Sequence, residues 1–472
     1  MALKRYLASA DSTITDAFRA NLVNRGSGSN MGAADVLEVF SLFGQADSGS
    51  QEKSRMLLKF PIADVATDIT NQIVPSNAAY FLRVFNAPHG ETLPTQFTLT
   101  AKPISGSWDE GTGLDMNEYS DLGAVNWINA TSSSSGIVSW QNQGGDFHIS
   151  PTYDVYFDKG TENLEVEVTD LVNLWLSGSV NNDGIAVMLS SSLENSNLRS
   201  YYTKKFFARS SEFFFKRPIL EARWDSSIND DRGNFFASSS LADSQDNQNT
   251  IYIYNYVRGR LRDIPSVGTG SIFVNVYETL GSSSINTYPN HPVTGGWVSS
   301  GIYSASICAN TKQDVLYDVW SDSNGSQLHT GSISVKFDDS ELSVNTDIKI
   351  VSIVDFKSSY TQQETPILRL FVRSKGWEPS IYTKATEEVE QEFIKDLHFR
   401  VYRIQDGLEV ISYDTSSFSK HTKVSYDCSG SYFPLDMSIF EPGYMYGIKL
   451  LIKEENNRVK ELESIFKFRV DK

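Results

Sequence analysis

The sequence predicts an all-β protein built of tandem β-sandwiches, and three observations carry that prediction. Short apolar alternations bounded by turn residues recur from end to end, aromatic residues make up 12% of the 472 positions while only 21% are charged, and helical periodicity is nearly absent. A period of two puts one face of a strand in a core and the other in solvent, and aromatic or β-branched side chains suit that half-buried surface. At roughly 100–200 residues per domain the length predicts about three domains, each able to bury its own core.

Taken in order, SRMLLKFPI, FTLTAKPI, YDVYFDKG, LEVEVTDLV, GIAVMLSSS and FFFKRPILEARW each read as a strand of about five to nine residues. DLVNLWLSG reads as one short helical turn with Trp175 facing a core. After RPILEARWD the composition shifts to Ser, Asp and Asn, which predicts a linker over Asp225 to Thr250, too polar to order by burying a core of its own. Strands resume at IYIYNYVRGRL and run through SIFVNVYETL, GIYSASICA, LYDVWSD and GSISVKF. DDSELSVNTD reads as a second linker, a third set of strands starts near Ile348, and KATEEVEQEFIKDL within it has weak helical character. The predicted domains are therefore 1–225, 226–345 and 346–472. In the last, Phe440, Pro442, Gly443 and Tyr446 have the spacing of a tyrosine corner, in which a tyrosine at a strand start returns its hydroxyl to the backbone upstream. That spacing predicts an immunoglobulin-like or fibronectin-like sandwich and assigns these residues to the fold.

A net charge of −17 argues against a surface that lies along phosphates, so no nucleic-acid partner is expected. The densest basic stretch, Arg258, Arg260 and Arg262, is expected to alternate along a strand as a solvated or partner-facing stripe. No run reaches the ~18 apolar residues of a membrane span, and the N-terminus lacks the apolar core of a signal peptide, so cytoplasmic synthesis and no membrane partner are expected. Cys308 and Cys428 fall in different predicted domains and are expected to be buried free thiols.

Catalytic patterns do not stand out. His89, His148, His291, His329, His398 and His421 have no zinc spacing and are expected in loops or on the surface. Neither a nucleophile elbow nor a phosphate or dinucleotide loop is present, and most acidic residues sit in turns such as NDDRG and FDDSE, where Asp supports the turn backbone. The expectation is a non-enzyme; a polysaccharide-degrading enzyme with a carboxylate pair ranks last.

Two resemblances extend this reading. ADSTITDAF, GSGSNMG, SRMLLKFPI, the WDEG turn at Trp108 to Gly111, VEVTDLVNLWLSG, NNDGIAVML and KRPILEARW, with Arg217, Pro218 and Glu221, together resemble the DNRLRE family of jelly-roll domains, which are related to carbohydrate-binding modules. The resemblance implies an N-terminal jelly roll ahead of the two immunoglobulin- or fibronectin-like sandwiches. It also implies a possible structural calcium, for which Asp11, Asp16 and Asp170 are the oxygen-rich candidates. Trp108, Trp127 and Trp140, in or near Gly-, Ser- and Asn-rich loops, are the candidates for stacking on a sugar, with burial the commoner outcome for such residues. The arrangement as a whole, with TGGWVSSGIYSA, FVRSKGWEPSIYTKA and LDMSIFEPGYMYGIK, resembles an uncharacterised structural protein of marine contractile-tailed phages. That implies location in the virion, at neck, tail or head, docking to other virion structural proteins, and a homo-oligomeric ring or repeated attachment. The alternative is a receptor-binding or glycan-binding protein of the particle, its first domain holding a surface polysaccharide.

Overall fold

The computed structural model describes residues 2–133, 136–337, 349–375, 394–416, 419–453 and 458–472. Two compact units emerge, Leu3–Trp224 and Asp225–Lys472. The first is an antiparallel sandwich. Its smaller sheet runs Leu3–Leu7, Ile219–Arg223, Ala79–Val84, Leu164–Glu167; its larger sheet runs Ser200–Phe207, Val36–Phe43, Gln51–Lys59, Ile185–Leu189, Phe97–Pro103, Tyr153–Phe157, with Ala10–Thr15 also paired to Gln51–Lys59. Met56 and Leu58 point into the core between the sheets beside Val39 and Leu82, whereas Leu57 points the other way and is buried just as deeply. The unbroken apolar run MLL in that strand is the signature of burial on both faces.

Two of its helices pack against the core of this sandwich. Thr169–Leu176 buries Leu171, Val172 and Trp175, two turns rather than the single turn expected. Ile62–Thr70 was not anticipated: Ile62, Val65 and Ile69 form its apolar stripe at helical spacing, a signal only nine residues long and opened by Pro61.

Asp225–Lys472 contains two further sheet systems. The first is one continuous sheet, Phe235–Phe236, Gln327–Lys336, Val315–Ser321, Ser271–Tyr277, Val293–Ser299, Ile302–Ala309, Asn249–Tyr254, with Thr287–Tyr288 at its side. Its end strands meet through one side chain: the Asn249 amide accepts from Phe236 N at 2.9 Å and donates to Phe236 O at 2.9 Å. Asn249 thereby replaces a ladder pair and rolls the sheet around Trp320, Phe235 and Tyr303. The arginine stripe dissolves here: Arg258 and Gly259 form the turn between Tyr256–Val257 and Arg260–Leu261, so the three arginines do not alternate along one strand.

The last domain is a two-sheet sandwich. One sheet runs Lys349–Val354, Ile367–Ser374, Gly430–Pro434, Ser425–Asp427; the other runs Ser359–Thr361, Phe466–Asp471, Met445–Lys453, Leu397–Arg403, Glu409–Ile411. Phe399 and Phe433 stack at 4.3 Å across the two. Tyr446 donates its hydroxyl to Glu441 O at 2.8 Å, which is the geometry of a tyrosine corner, and Phe440 packs on the Tyr446 ring at 4.8 Å. Pro442 sits half-buried in the turn between them.

The polar stretch from Asp225 is no free linker. Asp230 N donates to Tyr426 O and Tyr426 N to Ile228 O, so this stretch lies parallel on the edge strand Ser425–Asp427 of the last sandwich. Asp231 accepts from the Tyr426 hydroxyl and from Thr250 N, while Arg232 reaches Asp318 of the rolled sheet. Polar residues order here because each finds a charged or backbone partner, with no apolar core required. The second linker, DDSELSVNTD, the boundary at 345 and most of KATEEVEQEFIKDL lie outside the described residues. Cys308 is buried and Cys428 exposed, and both are free.

Candidate functional site

The first unit carries a loop platform built from residues 16–33, 104–133 and 136–148. Asn30 locks it. Its amide donates to Glu110 O at 2.7 Å and Val125 O at 2.9 Å and accepts from Gly113 N at 2.9 Å. Such close interlacing leaves no room for side chains: a Cβ on Gly32 would stand 2.0 Å from Glu110 O, and one on Gly113 2.0 Å from Asn30 O. Gly32 of GSGSNMG and Gly113 therefore serve close backbone approach, while Gly111 of the WDEG turn, at φ +79°, leaves room for the Asn30 side chain.

Beneath the platform lies the outer face of the larger sheet. Trp108, Trp127 and Trp140 pack there against Ile14, Leu57, Ala186 and Met188, each only 6% exposed. Trp108 donates its indole N–H to Asp183 O at 2.8 Å and Trp140 to Asn126 O at 2.9 Å, so both polar tips are satisfied internally. The Arg55 guanidinium covers Trp127 at 5.1 Å and is held by Glu194 at 2.7 Å. The sugar-stacking expectation for these three residues is thus corrected: the protein's own loop fills the sheet face and no indole face is open.

The three calcium candidates are not brought together as one ligand set. Asp11 accepts from Arg209 N at 2.6 Å, Asp16 receives the backbone N–H of Lys53 and the Arg25 guanidinium, and Asp170 receives the Tyr153 hydroxyl. Each carboxylate serves a different neighbour, and among the described residues no group of three or more His, Cys, Asp or Glu is placed to hold a metal.

Burial gives the platform an electrostatic character that sequence reading did not find. Glu110 accepts from Asp11 N at 2.8 Å and from both Arg209 Nε at 2.8 Å and Nη2 at 2.5 Å. Burial, reinforced by Glu110, pushes the Asp11 carboxyl up to about 7 against the bond from Arg209 N. Burial likewise lifts Glu38 to about 7 despite Lys205 at 3.3 Å. Acids whose folded values lie above their unfolded values bind protons more tightly when folded, so this stabilisation is complete below about pH 4 and is lost as pH rises through 7. Wild type should therefore lose stability between pH 5 and 7.5 relative to an Asp11→Asn/Glu38→Gln variant, by up to about 1.4 kcal/mol per pH unit per group. Thermal unfolding of both chains across that range checks it; parallel pH profiles would remove the assignment.

Of the histidines expected in loops or on the surface, His398 instead lies buried in the strand Leu397–Arg403, while His421 sits in a turn but is buried. His421 Nδ1 lies 2.8 Å from Asp414, which also binds the Ser416 and Ser419 hydroxyls. Although burial raises the Asp414 carboxyl, these bonds outweigh it and hold the group far below the usual carboxylate range. Both serines address Asp414, so the group organises a loop and does not form a nucleophile, base and acid in series. A cavity of about 420 Å³ lies among Arg232, Tyr252, Tyr254, His329, Ser332 and Cys428. Its arginine is already committed to Asp318.

These features define an all-β protein of sandwich and rolled-sheet domains with a tightly interlaced loop platform on its first unit. No family model and no curated protein matches the chain. Among solved structures it is similar to titin A168169 (10% identity over 53% of this chain and 98% of that one, TM-score 0.15) and to a marsupial T cell receptor (9%, 50% and 70%, 0.17). The Yersinia pseudotuberculosis adhesin InvE is similar at 13% identity over 50% of this chain and 57% of that one, TM-score 0.16. At such TM-scores these likenesses say nothing of what the chain does.

Proposed function

We propose that this chain is a non-catalytic structural component of a tailed-phage virion that works by docking β-domains onto neighbouring virion proteins. The observation that carries the reading is the stitching of residues 228–232 to both domains of Asp225–Lys472: backbone bonds to Tyr426 on one side and a bidentate ion pair to Asp318 on the other. A connection bonded at both ends resists bending, which suits a spacer that holds partners at a fixed separation. The sequence resemblance to a structural protein of contractile-tailed phages supplies the setting. The filled sheet face under the platform withdraws support from glycan binding by Trp108, Trp127 and Trp140. Quantitative mass spectrometry of purified particles, followed by location of the chain in a particle density map, tests the proposal. A fixed copy number in symmetric contact with other virion proteins is expected. Absence from the particle, or attachment at one terminus with the remaining domains free, overturns it.

A further inference from the structure

Lys204, in the strand Ser200–Phe207, is 0% exposed, a place where lysine is rarely found. Strand alternation turns it to the same side as the core residue Phe206, and the Phe157 and Phe206 ring centroids lie 5.2 and 4.9 Å from its Nζ. Nζ donates to Asn86 Oδ1 at 2.5 Å, to Gly160 O at 2.7 Å and to Glu162 O at 3.0 Å. Backbone pairing fixes both sides of this contact. Asn86 lies opposite Phe206 in antiparallel register, between bonds from Phe207 N to Phe85 O and from Ala87 N to Lys205 O, so its side chain emerges on the face that carries Lys204. On the other side, Gly160 has φ +80° and a Cβ there would stand 2.0 Å from Pro94 O, so the turn that supplies the two carbonyls is pressed close against its neighbour.

A buried ammonium needs acceptors, and two backbone carbonyls and two ring faces already serve this one. The third acceptor, a side-chain amide, differs from them in carrying a group that can leave. Burial, working against the attraction of Glu162, pushes the Lys204 amine down to about 8, so about a tenth of it is neutral at pH 7. In the neutral amine two N–H groups stay on Gly160 O and Glu162 O. The lone pair that replaces the third N–H then faces the Asn86 amide, whose Cγ lies one C=O bond, about 1.2 Å, from Oδ1. An amine and an amide held within reach and stripped of water react as one molecule, without the cost of finding each other.

We propose that Lys204 and Asn86 join in an intramolecular isopeptide bond. Nζ adds to Cγ, the Cγ–Nδ2 bond breaks, and Nδ2 leaves as ammonia with the proton that Nζ gives up, so the atoms balance without a further reactant. The bond ties the segment that leaves Ala79–Val84 of the smaller sheet to the strand Ser200–Phe207 of the larger one, across 118 positions of sequence. A pull on the two ends of the first unit then runs through the link and spares residues 87–203, whatever the protein docks to. Mass spectrometry of the full chain, purified folded and held at about pH 9, where most of the amine is neutral, tests this. The wild-type chain should weigh less than its sequence requires by one ammonia, and digestion should yield a branched peptide in which the Lys204 side chain is joined to residue 86. Asn86→Ala should restore the full mass and remove the branch. An imide at Asn324–Gly325 would give the same loss of mass with no branched peptide, and either that result or a folded wild-type chain of full mass overturns the bond. Should Asn86→Ala fail to fold, the presence or absence of the branched peptide in the wild type decides alone.

Discussion

Glu221→Ala is expected to cost the first unit about 3–5 kcal/mol, the scale of removing one partner from a buried ion network. Glu221 is 1% exposed and binds Arg5 at 2.8 Å, Arg83 at 3.1 Å and Arg223 at 2.7 Å. Strand register creates the cluster: Ile219–Arg223 lies between Leu3–Leu7 and Ala79–Val84, with Arg5 directly opposite Glu221. Of the three guanidiniums, Arg83 and Arg223 also reach Glu165, which is far more exposed, so removing Glu221 leaves cationic groups gathered around one remaining acid. Burial raises the Glu221 carboxyl, but the attraction of Arg5, Arg83 and Arg223 outweighs it and holds the group well below its ordinary value. A depressed acid contributes stability above its unfolded value, near 4.5, and loses it as pH falls toward the folded one. The difference between wild type and variant in denaturant unfolding should therefore be largest at neutral pH and shrink in acid. A difference under about 1 kcal/mol at pH 7 would show that the arginines find other partners.

Arg232→Ala should destabilise Asp225–Lys472 by a similar amount, about 3–5 kcal/mol, because it strands a carboxylate with no access to water. Asp318 is 0% exposed; both Arg232 nitrogens reach it, at 2.8 and 2.7 Å, and Trp320 Nε1 adds a third bond at 2.6 Å. Space around the pair is tight: a Cβ on Gly331 would stand 2.6 Å from Arg232 Nη1 and 2.7 Å from Asp318 Oδ1, so Gly331→Ala should be destabilising as well. Since Arg232 anchors the stretch paired with Tyr426, its loss should also expose residues 225–250 to protease. Trp320 fluorescence during urea unfolding, with limited proteolysis of the native chain, checks both; wild-type resistance to cleavage would mean that Tyr426 alone secures the connection.

Strand alternation and aromatic content were enough to fix the all-β class, because period-two burial is written locally and each strand repeats the signal. Phe440, Pro442 and Tyr446 were legible for the same reason: a tyrosine corner closes within a few residues, and its Tyr446 to Glu441 bond spans only five. The helix Ile62–Thr70 escaped because two and a half turns carry too few apolar positions to stand out among strands. What the sequence could not settle was which side of an element would be covered. Trp108, Trp127 and Trp140 sit in a loop composition that fits either sugar contact or burial, and only the fold of residues 104–148 across the outer sheet face decided for burial. The polar run after Asp225 reads as a linker because composition registers apolar content and is blind to partners nearly 200 residues away, such as Tyr426 for Asp231. Asp11, Asp16 and Asp170 look alike as carboxylates in sequence; the folded chain gave each a separate donor. Local periodicity is a property of neighbouring residues and survives in a single sequence, whereas the environment of a side chain is set by segments that meet only after the chain has folded.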